Sequence, residues 1–313
     1  MSDGSAPNKA CFRMRLPATS ANLGSGFDAV AVALDFYLEM EAEPAAEFSI
    51  AATGRDSERC GRLQDNLVLE TYKELLLSHG RQVVPLAIRM NNQIPLGMGC
   101  GSSAAGRLAA IALAVHFGSL RWSGERILEE ACVREGHPDN ASACWLGGFV
   151  TAAFEGRTVH VARVTPPAEW RAILVLPAEP LATSKARAML PECYSRDDAV
   201  ANIQSVAMLG LAFAQGRADL LRIAMRDRIH QPYRVPFCPL LPRLLPLGGE
   251  HGILGAALSG AGPSMLTIIG GEGNLAEASE AILNAVDDLP EPELLVCRFL
   301  SNGASQPLEP SLA

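Results

Sequence analysis

The segment Pro95-Leu96-Gly97-Met98-Gly99-Cys100-Gly101-Ser102-Ser103-Ala104-Ala105 carries three glycines in five positions, then two serines, at the start of a strongly helical stretch. Glycine lets the backbone take positive φ and approach a ligand closely, so successive N–H groups can converge on one concavity. The N-terminus of the following helix adds donors and about half a positive charge. Such a segment can hold a polyphosphate; a glycine-rich turn with an N-capping serine satisfies the same pattern. It is not a Walker loop, since no Gly-Lys-Ser/Thr follows, nor the Gly-x-Gly-x-x-Gly of a dinucleotide fold.

Three more polar clusters stand between apolar segments: Pro17-Ala18-Thr19-Ser20-Ala21-Asn22-Leu23-Gly24-Ser25-Gly26-Phe27-Asp28, read as a loop; Glu135-Gly136-His137-Pro138-Asp139-Asn140; and Leu258-Ser259-Gly260-Ala261-Gly262-Pro263-Ser264, which joins two apolar strands. The whole chain of 313 residues has 26 basic and 34 acidic side chains and a formal net charge of −8. That balance leaves no basic excess for a nucleic-acid backbone, and an acidic protein needs a local device to hold an anion. At 49% hydrophobic and 19% charged residues, the composition also excludes disorder. The longest clearly apolar stretch, residues 108–115, is too short to span a membrane. The first nine residues contain no apolar core for export, and eight scattered cysteines without a C-x-x-C pair read as reduced thiols. Both point to the cytoplasm.

The elements that must position these clusters follow from periodicity. An extended segment at residues 11–15 leads into the first cluster, followed by an apolar run at 29–37. Asp65 is placed to cap a helix with Val68, Tyr72, Leu75 and Leu76 on its apolar face, ending at Gly80. Residues 86–90 read as a strand, 102–118 as a helix, and Ser123 as the cap of a third helix running to Gly136. Thr165-Pro166-Pro167 breaks regular structure and divides the chain into domains 1–165 and 166–313. Beyond it, strands are expected at 172–176, 264–269 and 293–299, with a capping box from Asn274 to Glu277. Val200, Ile203, Ala207 and Leu211 mark the buried face of a further helix. The interleaving gives an α+β fold class.

Taken in order, the clusters resemble the motifs of the GHMP small-molecule kinases, and within them the homoserine kinases. The opening P-A-T-S-A-N-L-G-x-G-F-D, the E-G-H-P-D-N block and the H-Q-P-Y-R element at residues 230–234 carry the closer resemblance. It implies an N-terminal domain like the second domain of ribosomal protein S5 and a C-terminal ferredoxin-like domain, with ATP and substrate between them. The glycine-rich motif would wrap the ATP phosphates with Pro95, Leu96, Gly97, Met98, Gly99, Cys100, Gly101, Ser102, Ser103, Ala104 and Ala105, and Asn66 would line the adenine pocket. Ser103 (or Ser102) and Glu135 match the positions that hold Mg²⁺, and hard oxygen ligands suit that cation.

The resemblance also implies L-homoserine as substrate, phosphorylated on its side-chain hydroxyl in a step toward threonine. Asp28 matches the position that meets the ammonium, with Asn22, His137 and Gly260 in the same pocket. Arg187 and Arg234 match the two arginines that receive the carboxylate, where a guanidinium grips bidentately. Asn140 and Thr183 match positions near the reacting hydroxyl. Relatives are commonly homodimers. Two departures stand out: Cys100 replaces a common leucine, and Gly106-Arg107 replaces a small or apolar pair. A sugar- or mevalonate-type acceptor, or a catalytically silent binding paralogue, are the competing readings. An uncharged acceptor would not need two arginines and an aspartate, and an intact Ser103–Glu135 pair argues against silence.

Overall fold

The computed structural model describes residues 11–179 and 188–304. Two sheets organise them. The first has the order β3-β4-β2-β5-β6, with β1 also paired to β2. Its strands are β1 (Phe12–Asn22), β2 (Gly26–Pro44), β3 (Ser49–Gly54), β4 (Leu86–Asn92), β5 (Phe149–Glu155) and β6 (Thr158–Val164). The pairings are antiparallel except β3 with β4. The cluster at residues 17–28, expected to be a loop, lies mostly within β1 and the start of β2. Only Leu23, Gly24 and Ser25 connect the strands, because the polar groups of this stretch are satisfied by the sheet ladder and by buried partners rather than by water.

Helices α2 (Leu67–Ser78), α3 (Ser102–Phe117), α4 (Gly124–Glu135) and α5 (Asp139–Leu146) pack with the first sheet, and a single turn, α1 (Ser57–Cys60), follows β3. The periodic positions Val68, Tyr72, Leu75 and Leu76 are all buried. The cap of α2 is one residue later than expected: Asn66, not Asp65, accepts from Val68 N and Leu69 N, while Asp65 takes a left-handed φ of 52°. Ser123 caps α4 as expected, accepting from Arg126 N, and Gly136 ends it at φ 80°. Alanines dominate the buried side of α3, so the helix that carries the glycine-rich motif sits close against its neighbours with little side-chain entropy to lose.

The second sheet has the order β10-β7-β9-β8, from β7 (Arg171–Leu176), β8 (Ile253–Leu258), β9 (Met265–Ile269) and β10 (Glu293–Arg298). Counted within this unit the order is 4-1-3-2, all antiparallel, with α6 (Arg196–Gln215) after the first strand and α10 (Leu275–Ala285) before the last. That is the ferredoxin-like order. Short turns lie between α6 and β8: α7 (Leu221–Ala224), α8 (Gln231–Arg234) and α9 (Leu240–Leu244). The expected capping box at α10 does not form; Asn274 makes no side-chain cap, and Glu277 lies against His251 at 3.3 Å instead.

The link between β6 and β7 spans the Thr165-Pro166-Pro167 break. After β10 the chain returns to the first sheet: Leu300 N donates to Ala33 O, Gly148 N to Leu300 O and Ala304 N to Cys144 O. Phe213 of α6 stacks on Phe149 of β5 at 4.2 Å and meets Trp170 and Phe299 edge-on, so one apolar core joins both sheets.

The face of α6 read from periodicity is the wrong one. Val200, Ile203 and Leu211 are 45%, 64% and 56% exposed, whereas Ser205, Leu209, Ala212 and Phe213 are buried. Both stripes recur at helical spacing, and tertiary packing on Phe149 and Trp170 selects the second. Leu209→Ala should therefore cost about 2–5 kcal/mol, and Ile203→Ala no more than about 0.5 kcal/mol. Urea unfolding midpoints at unchanged m-value check both.

Candidate active site

The glycine-rich segment leaves β4 and enters α3. Gly97, Gly99 and Gly101 have φ of 73°, 78° and 73°, a conformation that a side chain resists and that turns alternate N–H groups to one side. Close packing adds a second reason for glycine. A Cβ on Gly99 would stand 2.0 Å from Ser259 O, and one on Gly101 would stand 1.9 Å from Thr19 Oγ1. The carbonyls of the loop are held from outside: Thr19 N donates to Cys100 O at 3.1 Å, and the Ser259 hydroxyl donates to Gly99 O at 2.8 Å. At the loop's start, Leu96 N donates to Asp56 Oδ2. Gly101 is the N-cap of α3 and offers no side chain, so neither serine serves as the cap. The first intrahelical bond is Ala105 N to Gly101 O, which leaves the N–H groups of 102–104 at the open end of the helix.

Two cavities share this loop as a wall. One, of about 340 Å³, is lined by Leu38, Asn66, Met90, Gly97, Ser102 and Ser103, among others. The second, smaller cavity is bounded by residues 97 and 99–104, by Asn22, Asp28, Glu135, His137, Asp139 and Asn140, and by Arg234 and Gly260. Pro95 and Met98 face a third hollow near Arg55 and Glu293, Leu96 lines both that hollow and the large cavity, and Ala105 lines none of the three; it is fully buried in the core. Of the expected phosphate segment, residues 97 and 99–104 line the small cavity, and 97, 102 and 103 line both. Burial pushes the Cys100 thiol up to about 12, so it stays protonated and inert.

Glu135 is the last residue of α4, and its Oε1 accepts Ser103 Oγ at 2.7 Å and Arg107 Nε at 2.5 Å. Between Ser102 and Ser103, the second is thus the serine beside this carboxylate. Hydroxyl and carboxylate oxygens at that separation are a donor set that fits a hard divalent cation.

The small cavity contains opposite charges. Asp28 is held at φ 55°, an unusual conformation for a side chain, by Asn22, whose Oδ1 accepts Asp28 N at 3.0 Å while its Nδ2 donates to Gly260 O at 2.8 Å. Asn22, expected as a substrate contact, lines the cavity with its amide engaged by backbone at both ends. Asn66 goes further: Oδ1 takes Val68 N and Leu69 N, and Nδ2 donates to Cys60 O and Arg62 O. Its capacity is spent, so it shapes the large cavity without a group to offer a base edge.

His137 donates from Nδ1 to Asp139 Oδ1 at 2.6 Å. Burial alone would lower its pKa, but that bond and the charges of Asp139, Asp28 and Glu135 outweigh it and raise the value. Asn140 N also donates to Asp139 Oδ1, at 2.6 Å, and Asn140 Oδ1 accepts Thr19 Oγ1 at 2.6 Å. Arg234 is 1% exposed. Its Nη1 donates to His230 Nδ1 at 2.9 Å and to Gly260 O at 3.2 Å, and His230 Nε2 donates to Gly24 O at 2.8 Å. These partners fix the neutral Nε2–H tautomer. Burial pushes His230 down to about 4, with the Arg234 charge acting in the same direction against Asp227. Thr183 and Arg187 lie outside the described residues.

Sequence reasoning missed Thr19, Arg107, Asp139 and His230 as groups that set the geometry. Arg107 was detectable, since it follows Ser103 by one helical turn. Thr19, on Asn140, and His230, on Gly24 O, act across long sequence separations that no local pattern encodes, whereas Asp139 holds its neighbours His137 and Asn140.

A glycine loop at a helix N-terminus, standing between a large cavity and a small one of opposite charges, is able to hold a phosphate chain beside a small charged molecule, as a small-molecule phosphotransferase requires. The comparisons agree. Residues 66–148 match the model of the GHMP kinases N terminal domain, and residues 211–288 that of the GHMP kinases C terminal. The homoserine kinase of Solibacter usitatus is 43% identical over 256 residues, covering 82% of this chain and 84% of the relative. That of Thermus thermophilus is 38% identical, covering 82% and 86%. The crystal structure of homoserine kinase from Cytophaga hutchinsonii superposes with a TM-score of 0.81 at 24% identity, over 97% of this chain and 98% of that one. The L. major mevalonate kinase shares the fold at a TM-score of 0.69 and 15% identity, over 94% and 97%. The chain belongs to the GHMP kinases and, within them, to the homoserine kinase family.

The His230 environment predicts an acid limit. The unfolded chain takes up this proton near pH 6.5, its ordinary value, and the folded chain only near 4. Between those values the unfolded state binds more protons, so stability falls on acidification, by on the order of 3 kcal/mol in total. Unfolding free energies from pH 7 to 4 should drop less steeply in His230→Gln than in the wild type.

Proposed function

We propose that the chain transfers the γ-phosphoryl group of ATP to the side-chain hydroxyl of L-homoserine, releasing ADP and O-phospho-L-homoserine, as a cytoplasmic step toward threonine. The observation that carries this reading is the glycine loop as common wall of two cavities, with Asp28 and the buried Arg234 both lining the smaller one. An amino acid needs both charges; a neutral sugar or a mevalonate-like acid does not need the carboxylate of Asp28. We take residues 1–165 and 166–313 as the two domains, with the site formed by both.

In this reading the large cavity takes the adenosine part, and the N–H groups of 97–104 bind the phosphates. Their dipoles are already oriented by the Thr19 and Ser259 anchors, so little reorganisation accompanies charge development in the transition state. Ser103 and Glu135 would hold Mg²⁺, which when bound neutralises charge on the phosphate oxygens. Asp28 meets the substrate ammonium. Arg234, with Arg187, meets the carboxylate in charge-assisted bonds.

Asn140 and Thr183 orient the hydroxyl. Phosphoryl transfer proceeds through a loose transition state and depends on positioning more than on a strong base. Asp139 is not cast as a base, because its Oδ1 already accepts His137 Nδ1 and Asn140 N; it aligns both residues on the cavity wall. Among the described residues no helix is long and apolar enough to cross a membrane, which accords with a small dissolved substrate.

ADP release measured with homoserine, serine, threonine, mevalonate and galactose tests the proposal: homoserine should give the highest kcat/KM, and a higher value for mevalonate or galactose contradicts it. Asp28→Asn should raise the homoserine KM by on the order of tenfold or more, with the ATP KM changed less than about twofold. Equal loss for both ligands would remove Asp28 from the acceptor site.

A further inference from the structure

Arg107 lies one turn after Ser103 on α3. Helical side chains lean toward the N-terminus, so its guanidinium is carried back over Ser103 toward the mouth of the phosphate loop. There Nε donates to Glu135 Oε1 at 2.5 Å, on the same oxygen that accepts Ser103 Oγ at 2.7 Å. The Glu135 side chain is 8% exposed and that of Arg107 25%, so solvent screens the pair only in part. Glu135 is otherwise an acidic group at a helix C-terminus, where the macrodipole disfavours negative charge. An arginine at this spot offsets that cost.

The same arrangement opposes a metal ion. A divalent cation on Glu135 Oε1 would stand beside the guanidinium, two positive centres at one carboxylate oxygen, and would have to replace a short charge-assisted bond. Ser103 Oγ would also have to turn its proton away from that oxygen to act as a ligand.

We propose that Arg107 is a resident counter-cation for Glu135: it holds the carboxylate while no metal is bound, must yield when a divalent cation arrives, and so sets the metal concentration at which the site fills. This rests on the reading of Glu135 as a metal ligand. It makes Arg107 a positioning residue, since it acts through Glu135. It also gives the replacement of a small or apolar residue by arginine inside a helix of alanines a chemical purpose.

The test separates the two claims by measuring binding rather than turnover. Calorimetry with a non-hydrolysable ATP analogue is run in EDTA and again with saturating Mn²⁺, and the ratio of the two affinities isolates the contribution of the metal. Arg107→Met and Arg107→Gln should each raise that ratio about fivefold over the wild type, and Glu135→Gln should bring it close to one. An unchanged or smaller ratio in the Arg107 variants, with Glu135→Gln collapsed, overturns the counter-cation role and leaves Glu135 as the ligand. Weaker binding of the metal-free nucleotide in both Arg107 variants at constant ratio also overturns it, making Arg107 a phosphate contact. An unchanged ratio in Glu135→Gln removes the metal assignment and this inference together. Arg107→Gln retains a polar side chain, so the comparison survives if Arg107→Met folds poorly.

Discussion

The phosphate loop depends on having its carbonyls held from outside. Gly99 O is taken by the Ser259 hydroxyl and Cys100 O by Thr19 N, so the peptide units between them cannot turn over, and their N–H groups stay on the side of the cavities. Each anchor comes from a different motif. Thr19 is on β1, and Ser259 follows β8 in the second sheet. Close approach of the anchoring residues requires glycine at 99 and 101, because a Cβ there would strike Ser259 O and Thr19 Oγ1 respectively. Three segments far apart in sequence are therefore parts of one device, and the relative placement of the two sheets is built into the site.

That device explains how a chain of net charge −8 can serve an anionic ligand. Oriented amides and a helix N-terminus create a positive potential locally, without any excess of basic side chains. The cation of the acceptor cavity is likewise a special case. Arg234 is buried, and its charge is accommodated by a neutral histidine and by Gly260 O. His230 in turn donates to Gly24 O in the turn between β1 and β2, where a Cβ on Gly24 would strike Met225 O. The guanidinium is thus fixed through the turn that leads into Asp28 at the start of β2, which keeps the two opposite charges of the cavity in register.

Much of this was legible in the chain itself, for identifiable reasons. Glycines at alternate positions before a helical run, Ser123 before an amphipathic helix and Gly136 after it are local signals, and each element formed where those signals placed it. The failures were also physical. Val200, Ile203 and Leu211 recur at helical spacing, yet packing on Phe149 and Trp170 buries the opposite stripe. The polar run at 17–28 resembled a loop because its hydrogen-bond partners, Cys100 O, Ala224 O and Gly260 O, are distant in sequence. Asn66 and Asn22 stand on the walls of the cavities where they were expected, and both spend their side-chain amides on backbone. Motif matching finds such residues because the architecture needs them, and it cannot by itself distinguish a scaffold from a contact.

The central claim is that outward anchoring of the loop, rather than side-chain charge, creates the nucleotide site. Nucleotide affinity of Gly99→Ala, measured by calorimetry beside Gly273→Ala, tests it most directly. The added methyl at 99 would lie 2.0 Å from Ser259 O, whereas at 273 it meets nothing within 4 Å. The account predicts a loss of about tenfold or more, equivalent to at least about 1.4 kcal/mol, for Gly99→Ala with the folded content unchanged, and wild-type affinity for Gly273→Ala. Wild-type affinity in a folded Gly99→Ala protein would contradict it.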